Sequence, residues 1–525
     1  MSGVKKKKKK VNYANRFAVI LFIALTVNLA FYMLPDSIYG ISIKKVDLLA
    51  DIRILSDKDN IQSLDSFEKD GSGYVYYKNK SSVIQNDEIL SERFPTDSAL
   101  LPPVPQNTDS KDNTIANSNS HETGNPDSLS NNQNDASRQA SGDDIFNSDY
   151  LFNAKIEDFT SGRTGLRRFF AALNNIDNLG RPVRIAFVGD SFIEGDILVA
   201  DFRAMMQEHF GGRGVGFIPI ESNVAQYRPT IKQSADGWKS YSIIKNKSRK
   251  YVLSGLQFEP VSDNAFIRFQ TVDMYPGLEE VSSLKFIYSK NKNTDILLRS
   301  GDETLHHELP PTENVTQYEI RGHFTKGTLQ LKRARGLNAI GIALEDNDGI
   351  IVDNFALRGN SGIIMSELDE ESCRDLQQIR PYDLIVLQYG LNVASDSVRE
   401  YGWYRNRMIS VVEHVQNCFP GADILILGVS DRSQNRGGTY STMPAVLSLL
   451  RAQRQTAKEA EVAFWSIFAA MGGQNSMVKY VNSNWASKDY THLSFRGGRE
   501  VANALYDALL IEKGVYDGDE KFVDR

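Results

Sequence analysis

The chain has 525 residues, of which 41% are hydrophobic and 24% are charged, and its formal net charge is -6 at pH 7. Such a length predicts two or three folded units joined by linkers rather than one compact core. The mildly acidic balance disfavours a nucleic-acid-binding protein, because such proteins present a basic surface, so no nucleic-acid partner is predicted. The only two cysteines, Cys373 and Cys418, lack zinc-site spacing, and the sequence leaves open whether they pair.

The N-terminus carries a basic run followed by an apolar one. Six lysines at 5–10 precede residues 17–34, which are apolar except for a few positions such as Thr26 and Asn28. A helix of about 18 residues roughly spans a bilayer, and positive charge stays on its cytoplasmic side. We therefore predict a cytoplasmic tail (1–16), a single transmembrane anchor (17–34) and a periplasmic or otherwise extracytoplasmic remainder. A cleaved signal peptide is the alternative, although no clear small-residue cleavage site follows the run.

Residues 35–149 are predicted to form a juxtamembrane segment and a low-complexity linker. From residue 86 onward this region is dominated by Ser, Asn, Asp, Gln and Pro. Such a composition cannot bury enough apolar surface to offset the entropy of ordering the chain. The linker would act as a tether that lets a folded domain reach material away from the membrane.

After the linker, the pattern becomes that of an α/β protein in two pieces, 150–220 and 354–525. Residues 151–178 are predicted to form a lead-in helix, and the last helix is predicted to start near Ser494. Between them, continuous apolar runs predict buried strands at 185–188, 383–389, 422–429 and 462–468, with helical spacing at 197–210 and 398–418. Apolar strands alternating with helices predict a parallel sheet flanked by helices, with sites beyond the carboxyl ends of the strands.

Ser191 stands at the first of these strand ends, directly after Gly189-Asp190. A sharp turn into a helix would present its hydroxyl above the sheet beside a helix N-terminus, which favours the negative charge of an oxyanion. The alternative is that Asp190 and Ser191 merely cap that helix, because both residue types are favoured there.

Residues 221–353, between the two α/β pieces, have a different hydrophobic pattern. Short alternating runs such as AFIRFQTV, SLKFIYS and TQYEIRGHF are separated by polar turns. This pattern predicts an inserted antiparallel β-sandwich. Such an insertion beside a site is either a substrate-holding module or a packing and spacer domain.

Near the C-terminus, Asp489 and His492 lie three residues apart on a loop before the last helix. A carboxylate beside an imidazole fixes its tautomer and stabilises the imidazolium that forms when it takes a serine proton. Ser191, His492 and Asp489 thus supply the nucleophile, the base and the orienting group of a serine hydrolase.

Four separated motifs resemble, in order, those of the SGNH (GDSL-like) hydrolases. They are Gly189-Asp190-Ser191-Phe192, Arg358-Gly359-Asn360-Ser361-Gly362, Gly390-Leu391-Asn392 and Asp489-Tyr490-Thr491-His492. The resemblance implies a catalytic triad of Ser191, Asp489 and His492, and an oxyanion hole formed by the N–H groups of Ser191 and Gly362 and the side chain of Asn392. Val393 departs from the family pattern, in which Asp often follows the Asn, and this makes the local turn less certain.

The long β insertion and the GGRGVGFIP stretch further resemble the peptidoglycan O-acetylesterase branch, whose insertion is similar to a carbohydrate-binding module. The resemblance covers roughly residues 180–510. It implies an esterase that removes O-acetyl groups from a cell-wall polysaccharide, with no metal and no organic cofactor. The residues by themselves indicate only an exported serine esterase with an added β domain.

Two other functions fit the same sequence. A polysaccharide O-acetyltransferase could use the same triad with a sugar hydroxyl as acyl acceptor. A tethered polysaccharide-binding protein with an inactive α/β unit is the other alternative, although no triad residue is altered. The sequence leaves open which sugar hydroxyl carries the ester, whether the insertion binds sugar, and the oligomeric state.

Overall fold

The computed structural model of the protein describes residues 154–519 and four short strands before them, β1 (Ser37–Ile38), β2 (Ile41–Ser42), β3 (Phe67–Lys69) and β4 (Val75–Tyr77). The strands β1 and β2 pair in antiparallel fashion. The predicted tail and transmembrane span, 1–34, and most of the predicted linker lie outside the described residues. In the part of the chain that the structure describes, we find no helix with both the length and the apolarity needed to cross a membrane.

Nineteen strands and eight α-helices follow in residues 154–519. The strands are β5 (Glu157–Asp158), β6 (Val183–Gly189), β7 (Gly216–Pro219), β8 (Lys232–Asp236), β9 (Trp238–Ser242), β10 (Leu256–Pro260), β11 (Phe266–Gln270), β12 (Val281–Ser289), β13 (Asp295–Ser300), β14 (Glu303–Glu308), β15 (Thr316–Phe324), β16 (Lys326–Lys332), β17 (Asn338–Glu345), β18 (Ile350–Ala356), β19 (Leu384–Gln388), β20 (Asp423–Gly428), β21 (Ser433–Arg436), β22 (Thr439–Thr442) and β23 (Ala463–Ser466). The helices are α1 (Arg167–Asn174), α2 (Val199–Phe210), α3 (Glu370–Ile379), α4 (Gly402–Cys418), α5 (Pro444–Glu459), α6 (Ile467–Ala470), α7 (Ser476–Asn482) and α8 (Phe495–Tyr516).

The central sheet has the strand order β18-β6-β19-β20-β23-β5. All neighbouring pairs from β18 to β23 are parallel, and only β5 joins its edge in antiparallel fashion. Every residue of β6, β19 and β20 is buried. Continuous apolar strands are what a sheet covered on both faces requires, so the predicted α/β class with a parallel sheet is confirmed.

Two predicted helices differ from the observed ones. The lead-in helix predicted over 151–178 is wrong for most of its length, because only α1 and a short 3-10 helix, Ile176–Asn178, are helical, and β5 forms the edge strand before them. Both carboxylate oxygens of Asp158 accept backbone N–H groups, from Thr160 and Gly165, and this turn interrupts a helical path. The helix after Ser191 starts only at Val199, so Ser191 does not lie at its N-terminus.

The segment between β6 and α2 is a loop with one short 3-10 helix, Glu194–Asp196. Asp196 has a positive φ of 66° and is fully buried. Its carboxylate accepts hydrogen bonds from buried polar side chains, namely Arg203, Arg228, Thr230 and Asn354. These contacts fix the loop that follows Ser191 and explain why the helix begins later than its apolar spacing predicts.

The inserted region forms two antiparallel sheets. One has the order β15-β12-β17-β10-β9 with β7 paired to β17, and the other has the order β14-β13-β16-β11-β8. A separate apolar core lies between them. Relative to the predicted limits of 221 and 353, β7 precedes the first limit, and β18, which starts at Ile350, already pairs with β6 of the parallel sheet.

A buried ionic cluster, hereafter the junction cluster, joins the sandwich to the α/β part. Its members are Glu345 and Lys285 from the sandwich and Arg184, Asp353 and Arg380 from the α/β part. The carboxylate of Glu345 lies 2.8 Å from Arg184 Nη2, 2.7 Å from Lys285 Nζ and 2.9 Å from Arg380 Nη1. Because the contacts come from both parts, they fix the sandwich relative to the parallel sheet.

Candidate active site

The sequence-predicted site residues follow strands that are neighbours in the sheet. Ser191 follows β6, Gly362 follows β18, and Asn392 follows β19. Because β18, β6 and β19 are adjacent and parallel, their carboxyl ends meet at one edge of the sheet. The structure therefore brings together residues that are as much as about two hundred positions apart in the chain.

His492 joins Ser191 and Asp489 in a hydrogen-bonded chain. The distance from Ser191 Oγ to His492 Nε2 is 3.1 Å, and that from His492 Nδ1 to Asp489 Oδ2 is 2.6 Å. The side chains of His492 and Asp489 are 31% and 39% exposed, so solvent reaches this pair. An imidazole with one nitrogen on a hydroxyl and the other on a carboxylate can take the hydroxyl proton and keep its orientation.

The loop that carries the pair is held by Asp489 itself. Its Oδ1 accepts the backbone N–H groups of Thr491 and His492 at 2.9 Å and 3.1 Å. Burial raises the pKa of Asp489, but the hydrogen bond and charge of His492 together with these N–H groups outweigh it and hold the pKa below its ordinary value. The carboxylate is therefore ionised at neutral pH, as the orienting role requires.

Both further donors predicted for an oxyanion hole already have hydrogen-bond acceptors within the protein. The N–H of Gly362 donates to Asn360 Oδ1 at 2.8 Å. The side-chain amide of Asn392 donates to Asp190 Oδ2 at 2.9 Å and to the carbonyl of Asn360 at 3.0 Å. Glycine is required at position 362, because its φ is 91° and a Cβ there would lie 2.9 Å from the Tyr389 ring. A substrate oxygen at this place would share or replace these acceptors.

Asn360 and Asp190 therefore have roles that sequence analysis missed. Asn360 is fully buried and contacts both donors, Gly362 through its side chain and Asn392 through its backbone. Asp190 does not cap a helix, since its Oδ1 accepts the N–H of Phe192, so the capping alternative is wrong. In the sequence, the only indication of these roles is that Asp190 and Asn360 each lie inside one of the four motifs.

Asp190 supplies a second carboxylate at the site, which accepts a hydrogen bond from the side chain of Asn392. Burial raises the pKa of Asp190 to about 6, against the opposing effects of the Phe192 N–H, the charge of His492 and the amide of Asn392. At neutral pH an ionised Asp190 accepts from Asn392 and fixes the direction of that amide.

The departure at Val393 leaves the turn intact. Residues Leu391–Val393 form a short 3-10 helix after Gly390, and the N–H of Val393 donates to the carbonyl of Gly390 at 3.0 Å. Val393 is buried against the core. An apolar side chain therefore suits this position.

Two further observations concern the cysteines and the metal-ligating side-chain types of the described residues. Cys373 and Cys418 are free and buried thiols. Within 154–519 and the four short strands, no group of three or more His, Cys, Asp or Glu side chains is arranged to hold a metal ion.

Comparisons with known proteins bear on the fold. No protein-family model and no curated protein sequence matches the chain. A solved peptidoglycan O-acetylesterase aligns with 69% of this chain and 99% of its own, at 21% identity and a TM-score of 0.57. A family two carbohydrate esterase from Cellvibrio japonicus aligns with 54% of this chain and 98% of its own, at 11% identity and a TM-score of 0.23. The first of these shows that the chain shares the fold of a peptidoglycan O-acetylesterase, the branch whose motifs the sequence resembles.

Proposed function

We propose that this chain is a serine esterase that removes O-acetyl groups from a cell-wall polysaccharide, with peptidoglycan as the first candidate. The observation that carries the proposal is the hydrogen-bonded chain Ser191–His492–Asp489 at the carboxyl edge of the sheet. Beside it lie amide donors that match those of an oxyanion hole. These groups suffice for acyl transfer through a covalent intermediate.

In the first half of the reaction, Ser191 Oγ attacks the acetyl carbonyl carbon while His492 Nε2 takes its proton. The N–H groups of Ser191 and Gly362 and the amide of Asn392 stabilise the resulting oxyanion. The carbonyl then reforms, the C–O bond to the sugar breaks, and His492 returns the proton to the departing sugar oxygen. The product of this half is an acetyl ester on Ser191.

In the second half, water attacks the acetyl-enzyme and gives a proton to His492. The second tetrahedral intermediate collapses, Ser191 Oγ leaves with that proton, and acetate is released. Because His492 is about one-third exposed, water can reach the base in the ligand-free protein. This accessibility supports hydrolysis rather than transfer to another sugar.

The choice of substrate has separate support. A solved structure with which the chain shares its fold is a peptidoglycan O-acetylesterase, and a β-sandwich is inserted next to the parallel sheet. The N-terminal basic and apolar runs fit a single-pass anchor with the catalytic domain outside the cytoplasm, and the linker fits a tether towards a wall polymer. Export, anchoring and sugar binding by the insertion are parts of this proposal.

The test is acetate release by the full-length protein from O-acetylated peptidoglycan, and from the same polymer after chemical de-O-acetylation. We expect release only from the first, and a fall of about 10⁴-fold or more in Ser191→Ala. Ser161→Ala removes an exposed serine hydroxyl outside the site and should leave the rate unchanged.

A folded wild-type protein that releases no acetate from this polymer would overturn the proposal. Formation of new acetyl-sugar from an added acyl donor, without free acetate, would identify a transferase instead.

A further inference from the structure

A β-hairpin that the proposed reaction does not use lies at the catalytic edge of the sheet. It consists of β21 and β22, which follow β20, the parallel neighbour of β19. Because β20 is parallel to β19, the hairpin leaves the sheet at the same edge as Ser191 and Asn392. A two-residue turn closes it, where Gly437 and Gly438 have φ values of 59° and 89°, as a tight hairpin turn requires.

The hairpin contacts the two loops that carry Asn392 and His492. On one side, Arg436 Nη2 lies 3.2 Å from Oδ1 of Asp396, four residues after Asn392. On the other side, the N–H of Ser433 donates to the carbonyl of Tyr490 at 3.0 Å. The hairpin thus borders the site from the oxyanion side to the histidine side.

Two aromatic rings stack where the hairpin meets the histidine loop. Tyr440 of β22 and Tyr490 lie with ring centroids 3.7 Å apart and planes inclined by 8°. Tyr490 stands between Asp489 and His492 and has a positive φ of 57°. A tyrosine in this conformation is strained, and such strain persists only where surrounding contacts hold it. The stack and the hydrogen bond from Ser433 are such contacts.

The Tyr440 side chain is partly exposed although it stacks on Tyr490. The residue is 37% exposed, which makes it one of four exposed large hydrophobic side chains among the described residues. A flat ring that stacks on the loop carrying His492 and remains accessible to solvent is suited to bind an apolar surface of the substrate.

We propose that the Tyr440–Tyr490 stack is a sugar-binding subsite that holds a pyranose ring of the glycan chain next to the residue whose acetyl group is removed. One face of a pyranose is formed by C–H groups, and this face packs on an aromatic ring while the hydroxyl groups stay in solvent. The inference rests on the proposed function, because it assigns a polymeric sugar to the same site.

The test compares two substrates of the full-length protein, O-acetylated peptidoglycan and 4-nitrophenyl acetate, which contains no sugar. We expect Tyr440→Ala to lower the ratio of kcat/KM for the polymer to that for the small ester by about three- to tenfold, mainly through KM. Tyr440→Phe and Tyr440→Trp should restore the ratio, because stacking needs the ring and not the hydroxyl.

Tyr516→Ala is the matched control. Tyr516 is equally exposed, at 37%, and packs against Phe170. It lies at the far end of α8, a helix of 22 residues that begins just after His492, and thus about 33 Å along the helix axis from that start. Its removal should leave the ratio unchanged.

A second measurement separates failure of the subsite from failure of the esterase. Ser191→Ala is tested for binding to soluble glycan chains prepared from the same peptidoglycan, with and without the additional change Tyr440→Ala. Binding that depends on Tyr440 without any acetate release by the wild type would support the subsite and overturn the esterase. Acetate release with an unchanged ratio in a folded Tyr440→Ala protein would overturn the subsite alone, and the absence of both binding and release would overturn both.

Discussion

The junction cluster and the pair of Asp489 and His492 differ in how their charged side chains are paired. In the junction cluster, Glu345 and Arg380 are fully buried and each has several partners. At the site, Asp489 and His492 pair mainly with each other and are about one-third exposed. Burial with several ionic partners favours one arrangement, whereas partial exposure leaves a base that water and substrate can reach.

The pKa shifts of two buried carboxylates show the same contrast. Burial raises the pKa of Glu345, but Arg380, Arg184 and Lys285 outweigh it and hold the pKa well below its ordinary value. Asp190 at the site has amide partners, and its pKa rises to about 6 because burial dominates. Cationic partners therefore decide whether the pKa of a buried carboxylate falls below or rises above its ordinary value.

Removing the central carboxylate of the junction cluster should produce the largest loss of stability. In Glu345→Gln, three buried cations lose a shared anion, and we expect the free energy of unfolding to fall by about 3–5 kcal/mol. Urea unfolding of the purified protein measures this fall.

The control for that change is Glu280→Gln. Glu280 pairs with Arg213 at 3.5 Å, and both side chains are about half exposed, so the loss should stay below about 1 kcal/mol. Equal losses in the two variants would contradict a structural role for the junction cluster.

The corresponding change at the site should affect rate rather than stability. Asn392→Ala removes an oxyanion donor and should lower kcat on 4-nitrophenyl acetate by about 10²- to 10³-fold. The thermal midpoint should fall little, because Asn392 is only partly buried.

Asn406→Ala, an exposed asparagine of α4, is the control and should keep the wild-type rate. A near-normal kcat in Asn392→Ala would remove this residue from the site.

The smallest expected effect concerns a buried carboxylate without the dense cationic pairing of Glu345. Asp423 Oδ2 accepts the N–H of Phe169 at 2.9 Å, and burial raises the pKa of Asp423 to about 7, against the backbone N–H groups and the charge of Arg168. The folded protein thus binds this proton more tightly than the unfolded chain does. The stabilisation that this bound proton gives the folded protein is complete below about pH 4 and is lost as the pH rises through 7.

Asp423→Asn keeps an acceptor for Phe169 but cannot ionise. The contribution of Asp423 to the wild-type thermal midpoint falls between pH 5 and pH 8. In Asp423→Asn this contribution to the fall is absent, so the midpoint at pH 8 relative to that at pH 5 should be about 1–4 °C higher than in wild type. Asp263→Asn, at an exposed position of the sandwich, should leave the wild-type difference unchanged. An unchanged difference in Asp423→Asn would show that this carboxyl group does not titrate in that range.

The sequence was sufficient to predict the parallel sheet and to single out Ser191, His492 and Asp489, whose side chains the structure joins by hydrogen bonds, because both leave local signals. Continuous apolar runs mark β6, β19 and β20, and the motifs around Ser191 and His492 stand at the ends of elements. The prediction of a lead-in helix was wrong because a local turn, held by Asp158, overrides the apolar spacing.

Features built from long-range contacts could not be predicted in this way. Glu345 and Arg380 are 35 positions apart, and nothing in the local pattern of either residue indicates the other. Tyr440 was one tyrosine among many until the hairpin placed its ring on Tyr490. The double contact of Asn360 likewise depends on the approach of β18 and β19 to β6.

The antiparallel edge strand β5 has a mechanical consequence. Just before β5, the carbonyl of Ala154 accepts the indole N–H of Trp465, and Glu157 of β5 pairs with Arg454. A pulling force applied through the residues before 154 would act first on these contacts at the sheet border. Three strands, β19, β20 and β23, separate β5 from β6. Such a force would therefore detach β5 from the edge of the sheet before it acts on β6, the strand that precedes Ser191.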